Sequence, residues 1–281
     1  RQMCIRDSSI PEMETMQFGQ NSEAGYKIIS SGAHLYNRPI ITCESAVQIN
    51  RVFLATPEKL RMTIDKILTS GVNQIIYHGT PYSYFPDGYP KEGWYPFYNS
   101  ALGVNFSTMI SETNPFWKYM SDINTYAQRA QYVLRSGKPQ ADVLIYYPFL
   151  KFSEGTRNPK ELLCRGYLPD VEPELTGEGK PFNSKVETKW MDDIYPLIDK
   201  LNADGVTWDW VNDESLQAMT TQQGKLDVRG NKYEGLILFN LPYIQTESAK
   251  NLKKVASDGA NIVCMGSMPS IQPSYKNYQE N

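Results

Sequence analysis

Histidine is almost missing from this chain. The 281 residues hold two, His34 and His78, which excludes a histidine-rich zinc site. The four cysteines, Cys4, Cys43, Cys164 and Cys264, are scattered without a C-x-x-C pair. Cys43 and Cys264 lie in apolar runs, where buried free thiols are the expectation. No stretch reaches the roughly 18 consecutive apolar residues of a membrane span, so no membrane insertion is expected. Positive charge is also short. A net charge of -3 and a pI of about 5.6 argue against nucleic acid as a partner. Phosphate loops are absent as well: Thr176-Gly177-Glu178-Gly179-Lys180 lacks the glycine a P-loop needs at position 174, which is Glu174. No G-x-S-x-G elbow occurs, which excludes the serine hydrolases built on that turn.

What is present is a core and an excess of rings. Apolar residues make up 41% and charged ones 21%, the composition of a globular chain with a hydrophobic interior. The length suits one large domain or two ordinary ones. Nineteen tyrosines and five tryptophans exceed what such a core requires. Rings with a polar edge suit a surface that binds something flat-faced and hydroxylated, such as a sugar. The first residues, Arg1 to Ser8, resemble a translated sequencing adaptor, so residues 1–9 are read as a non-native leader outside the fold.

The order of elements points to α/β architecture. Pro11 to Gln17 reads as the end of a strand, and a helix is expected from Ser22 to Tyr36 with Ile28, Ile29 and Leu35 inward. His34, in its midst, is expected to be a hydrogen-bonded packing residue. The apolar run Ile40-Ile41-Thr42-Cys43-Glu44 follows as a strand ending on a carboxylate. Thr56-Pro57-Glu58 starts the next helix, with a cap, a proline at the first helical position and an acid in the first turn. Leu60, Ile64, Ile67 and Leu68 make its stripe, Gly71 stops it, and Gln74 to His78 is the next strand. From Thr80 to about Thr113 there is no periodicity, only glycine and proline alternating with rings. A helix is expected after Asn114-Pro115, stopped by Gly137-Lys138-Pro139, a domain boundary. Beyond it, strands at Asp142–Tyr147, Val206–Val211, Leu236–Phe239 and Asn261–Met265 alternate with helices at Trp190–Leu201, Asp213–Met219 and Thr246–Ser257. Pro196 is expected to shift the start of the first of these helices or kink it. Interleaved strands and helices of this kind make an open doubly wound sheet.

In parallel α/β units the loops beyond the carboxyl ends of the strands build the active site. Glu44, read as the last residue of its strand, is therefore the candidate catalytic carboxylate; its alternative is a structural ion pair with Arg38 or Arg51. Glu14 is a neighbour at the adjacent strand end, or a solvated loop acid. His78, at the following strand end, would bond a sugar hydroxyl or tie down the loop. Tyr77 beside it, and Tyr82 and Trp94 in the aromatic segment, are candidate substrate-binding residues; the alternative for that segment is a loop packed on itself. No metal-ligand motif is evident.

Gly32-Ala33-His34-Leu35-Tyr36 followed by Pro39 to Ser45, Gly71 to Gly79, the aromatic segment to Phe97, and Tyr132 to Gly137 with Ala141-Asp142-Val143 together resemble glycoside hydrolase family 106, the α-L-rhamnosidases. Asn37 stands where many relatives have glycine. The resemblance implies the C-terminal half of a (β/α)8 barrel over 10–138 and a flavodoxin-like doubly wound domain over 139–281, similar to the trimerisation domain of some β-galactosidases. It implies inverting hydrolysis of terminal α-L-rhamnosyl linkages in an oligosaccharide or polysaccharide, with Glu44 as general base and the acid on an earlier strand. Calcium at the sugar hydroxyls, an oligomer, and a secreted or periplasmic location in a bacterium are implied in the same way. The isolated chain is then expected to be inactive. Two alternatives stay open: a β-galactosidase-like glycosidase, and a non-catalytic carbohydrate-binding protein with a degenerate barrel.

Overall fold

The computed structural model describes residues 8–16, 23–47, 54–80, 98–99, 104–105, 108–112, 114–148 and 185–270. They form two compact units, one of Ser9–Ile29 and Pro39–Lys138, the other of Ser30–Arg38 with Pro139 onward and the first eight residues. The leader expected at residues 1–9 lies almost wholly outside the described residues.

The first unit opens with β1 (Glu12–Met16), α1 (Glu23–Leu35), β2 (Thr42–Val47), α2 (Pro57–Thr69) and β3 (Gln74–Tyr77). The three strands are parallel neighbours in chain order, β1-β2-β3. That order follows from short crossovers, since each strand returns through one helix to pair with the strand before it. The signals for α2 hold: the Thr56 side chain accepts a hydrogen bond from the Lys59 N–H, and Leu60, Ile64, Ile67 and Leu68 are buried. A 3-10 turn (Trp117–Tyr119) then leads into α3 (Met120–Arg135). Its buried Met120, Ile123 and Ala127 join Leu60, Ile64 and Leu68 in one core, against which Ile75 and Tyr77 pack. A two-residue antiparallel pair, β4 (Tyr98–Asn99) with β5 (Val104–Asn105), lies in the segment where no periodicity was found.

In the second unit the elements are β6 (Val143–Tyr146), α4 (Lys185–Ala203), β7 (Trp208–Val211), α5 (Asp213–Ala218), β8 (Thr220–Gln222), β9 (Lys225–Val228), β10 (Asn231–Tyr233), β11 (Gly235–Phe239), α6 (Thr246–Ser257) and β12 (Asn261–Met265). Four of the strands form a parallel sheet in the order β12-β11-β6-β7. Numbered by arrival in the chain, that is 2-1-3-4. Strands β6 and β7 are apolar almost throughout because helices cover both faces of such a sheet. One layer holds Leu144, Val211, Leu216, Leu236, Leu238, Leu252 and Val255. On Tyr147, Trp190 and Trp210 rings meet edge to face, with Tyr147 and Trp210 centroids 5.2 Å apart. The indole of Trp190 donates to the Phe239 carbonyl at 3.0 Å, which satisfies its buried N–H.

Helix α4 begins at Lys185 rather than Trp190 and runs through Pro196 to Ala203. Pro196 and Asp192 are both exposed, so the carbonyl left without its i+4 donor faces water and the interruption is tolerated. The stretch between α5 and β11, for which the sequence shows no element, is the antiparallel meander β8-β9-β10. Its tight turns centre on Gln223-Gly224 and Arg229-Gly230, all four residues at positive φ, the two-residue hairpin loop in which glycine suits the second position.

The last turns of α1, from Ser30 on, belong to the second unit and help to hold one of its buried polar groups. The Asp209 carboxylate, 1% exposed, accepts from His34 Nδ1 at 2.9 Å, from the Ser31 hydroxyl at 3.1 Å and from the Tyr233 hydroxyl at 3.4 Å. Ser31 Oγ in turn accepts the Trp210 N–H at 2.9 Å. The expectation that His34 is a hydrogen-bonded packing residue is met by a partner 175 residues away. Burial, with the negative charge of Asp209 beside it, pushes the Tyr233 phenol far above its usual range.

Candidate active site

The sheet of the first unit has two chemically distinct faces because successive side chains alternate. Met13, Cys43, Ser45, Ile75 and Tyr77 belong to the face turned to the helices; Met13, Cys43 and Ser45 are buried, and Ile75 and Tyr77 pack on the α2–α3 core. Glu12, Glu14, Thr42, Glu44 and Ile76 share the opposite face. Along it Glu14 pairs in register with Glu44, and Glu44 with Ile76. Adjacent strands place such neighbours about 5 Å apart, so Glu14 and Glu44 are carboxylates side by side.

His78 follows β3 directly. Its N–H donates to the Ser45 carbonyl at 2.8 Å, which continues the ladder one step beyond Tyr77. Its ring Nδ1 is in hydrogen-bond contact with Glu44 Oε1. The Glu44 side chain is 36% exposed and that of His78 only 10%, so the imidazole sits in the wall and the carboxylate reaches the open. The alternative, a structural ion pair with Arg38 or Arg51, is half tested: Glu44 pairs with His78 and not with Arg38, and Arg51 lies outside the described residues.

Glu44 is not the last residue of its strand. Strand β2 runs on to Val47, and the register with β1 slips by one between Glu14 and Met16. Ala46 takes up the extra residue at φ 66°, and its N–H is held by Thr15 Oγ1 at 2.9 Å. A bulge of this kind bends the strand and re-aims its side chains. At its start Thr42 Oγ1 donates to Glu12 Oε2 at 2.9 Å.

Burial, then the negative charges of Glu44 and Glu12, hold the Glu14 carboxyl above its usual range, with His78 pulling the other way. A raised carboxylate pKa contributes stability that is complete below the unfolded value of about 4.3 and is lost as pH rises through the folded one. Glu14→Gln is therefore expected to raise the melting temperature at pH 7, with the gain shrinking toward pH 4. Melting curves of the two proteins across that range check the sign; a variant that melts lower at pH 7 contradicts it.

Cys43, on the helix side, is pushed up to about 12 by burial and is no nucleophile. The structure does not bring Tyr77 to the carboxylates. Its ring packs on the helix layer, its hydroxyl donates to Asn124 Oδ1 at 3.0 Å, and burial raises it to about 12. Alternation along β3 is the reason: Tyr77 lies between Ile76 and His78 on the opposite face. Tyr82 and Trp94 lie outside the described residues. Sequence reasoning missed Thr42 and Thr15 as the groups that hold Glu12 and the bulge; two-residue alternation from Glu44 would have placed Thr42 on the same face.

Among the described residues no group of three or more His, Cys, Asp or Glu side chains could hold a metal ion.

A curated relative, a putative beta-glucuronidase of Formosa agariphila, is 24% identical over 90% of this chain and 17% of its own length. The rhamnosidase of Novosphingobium sp. PP1Y superposes with a TM-score of 0.67 at 18% identity, over 99% of this chain and 23% of that one. Gan42B, a GH42 beta-galactosidase of G. stearothermophilus, superposes with a TM-score of 0.52 at 10% identity, over 97% of this chain and 35% of that one. The chain thus spans about a fifth of the first two relatives, and these likenesses show an α/β fold shared with glycosidases. The profile of glycoside hydrolase family 106, alpha-L-rhamnosidase, matches residues 7–154. With just over half its length covered by that match, the chain belongs to the family 106 alpha-L-rhamnosidases.

Proposed function

We propose that this chain is part of a glycoside hydrolase that removes terminal α-L-rhamnosyl residues from an oligosaccharide or polysaccharide. The observation that carries the reading is the juxtaposition of Glu44, Glu14 and His78 on the sheet face turned away from the helices. In a parallel barrel that face is the lumen, where glycosidase carboxylates stand. Three parallel strands in chain order, each linked by a helix, support a partial (β/α)8 barrel over 10–138. The arrival order 2-1-3-4 in the second sheet supports a flavodoxin-like domain over 139–281, since that order is the start of 2-1-3-4-5.

On this reading Glu44 takes a proton from the attacking water as the sugar passes through an oxocarbenium-like transition state. Glu14 faces the ring hydroxyls, and the leaving-group acid belongs to a barrel strand before β1. The stereochemical course is inversion. Secretion or a periplasmic location is part of the same reading; no helix among the described residues is long and apolar enough to cross a membrane.

A panel of nitrophenyl glycosides tests it. The complete gene product is expected to release nitrophenol from the α-L-rhamnoside, while the 281-residue chain alone does not, because the three parallel strands among its described residues leave a barrel open. Cleavage of the β-galactoside instead would favour the galactosidase reading suggested by the likeness to Gan42B. Binding of rhamnosides without turnover would favour a carbohydrate-binding protein.

A further inference from the structure

We propose that His78 is a positioning residue for Glu44: its Nδ1–H clamps carboxylate oxygen Oε1 and leaves Oε2 to the attacking water. The inference rests on the reading of Glu44 as the general base. An ionised carboxylate only accepts, so the proton in the contact belongs to Nδ1 of the imidazole.

The backbone builds this arrangement. The His78 N–H bonds the carbonyl of Ser45, the residue next to Glu44, so ring and carboxylate ride on hydrogen-bonded neighbouring chains. The Ser45 hydroxyl donates to the Cys43 carbonyl at 2.9 Å and Thr15 holds Ala46, which fixes the strand on both sides of Glu44. Glu44 makes no second side-chain hydrogen bond among the described residues, and one clamped oxygen is what a base with one working oxygen requires.

The charges around the pair explain the need for a clamp. Glu14 faces Glu44 from β1 in register, and Glu12 stands two residues before it. Their negative charge pushes the Glu44 carboxylate away from β1, and the imidazole on the β3 side is the group that holds it. Without that bond the carboxylate samples other rotamers, and a misplacement on the order of 1 Å costs about a hundredfold in rate.

Kinetics of the complete gene product on an aryl rhamnoside separate this role from a sugar contact. His78→Ala is expected to lower kcat about tenfold to a hundredfold with KM within about twofold of wild type. His78→Asn places an amide N–H where Nδ1 stands and is expected to recover most of the loss. His78→Gln places its amide nearer the Nε2 position, so it folds with similar bulk and is not expected to recover it. A raised KM at unchanged kcat in His78→Ala would make His78 a sugar contact and overturn the proposal, as would equal activity of the Asn and Gln variants. Glu44→Gln is the control: if it turns over at the wild-type rate, the reading of Glu44 as base fails. If Glu44→Gln is inactive while His78→Ala is unimpaired, only the positioning role fails.

Discussion

Glu44→Gln is expected to lower kcat of the complete gene product by about 10²- to 10⁴-fold, the usual contribution of a positioned general base. Glutamine keeps the length of the side chain, and its amide oxygen still accepts from His78 Nδ1, so the geometry of the clamp survives. What the amide loses is the ability to take a proton from water. Substrate affinity is expected to change little, because the group acts on the water rather than on the sugar ring. Circular dichroism and melting temperature are expected to match wild type, since the side chain reaches the open and satisfies no buried partner except His78. Steady-state kinetics on an aryl rhamnoside give the answer: turnover within tenfold of wild type would take Glu44 out of the mechanism.

The second large effect concerns stability. Asp209→Ala is expected to destabilise the protein by about 3–5 kcal/mol, since each buried donor left without its acceptor costs about 1–3 kcal/mol. The reason lies in what stays behind. His34 Nδ1, the Ser31 hydroxyl and the Tyr233 hydroxyl all converge on that carboxylate, and alanine takes the acceptor from two buried donors and one half-buried one. Asp209→Asn retains one acceptor oxygen and is expected to cost less. Domains are stable by about 5–15 kcal/mol, so the alanine variant could lose much of its folded population. Urea denaturation followed by tryptophan fluorescence suits the measurement, since Trp208 and Trp210 flank the residue. A midpoint unchanged in Asp209→Ala would show that the cluster is not what ties Ser30–Arg38 into the second unit.

Much of the secondary structure was legible because it depends on local rules. The Thr56-Pro57-Glu58 start and the stripe from Leu60 to Leu68 define α2 without help from the rest of the chain. Helix α6 and strand β12 fall on the expected bounds, Thr246–Ser257 and Asn261–Met265. The meander β8-β9-β10 was missed because its strands are three or four residues long and polar on one side; Gln223-Gly224 and Arg229-Gly230 were the available signals. The extension of β2 past Glu44 was missed for another reason. A bulge at Ala46 depends on the Thr15 hydroxyl of a different strand, and no pattern within β2 announces it.

The candidate site was legible in part. Alternation and strand order alone bring Glu14, Glu44 and His78 to one region, because parallel units put like ends together. That Tyr77 turns to the helices follows from the same alternation, counted from Glu44 across the register to Ser45.

By itself the sequence determined the α/β class, the alternation of elements and the carboxylate to suspect, because periodicity and caps are written within about a dozen neighbouring residues, and its resemblance over longer segments pointed to the family. The tertiary structure alone decided which group holds Glu44, how its strand is bent, and that His34 answers to Asp209. Those partners lie 34 and 175 residues apart, and a hydrogen bond across such a separation exists only once the strands and helices between have packed.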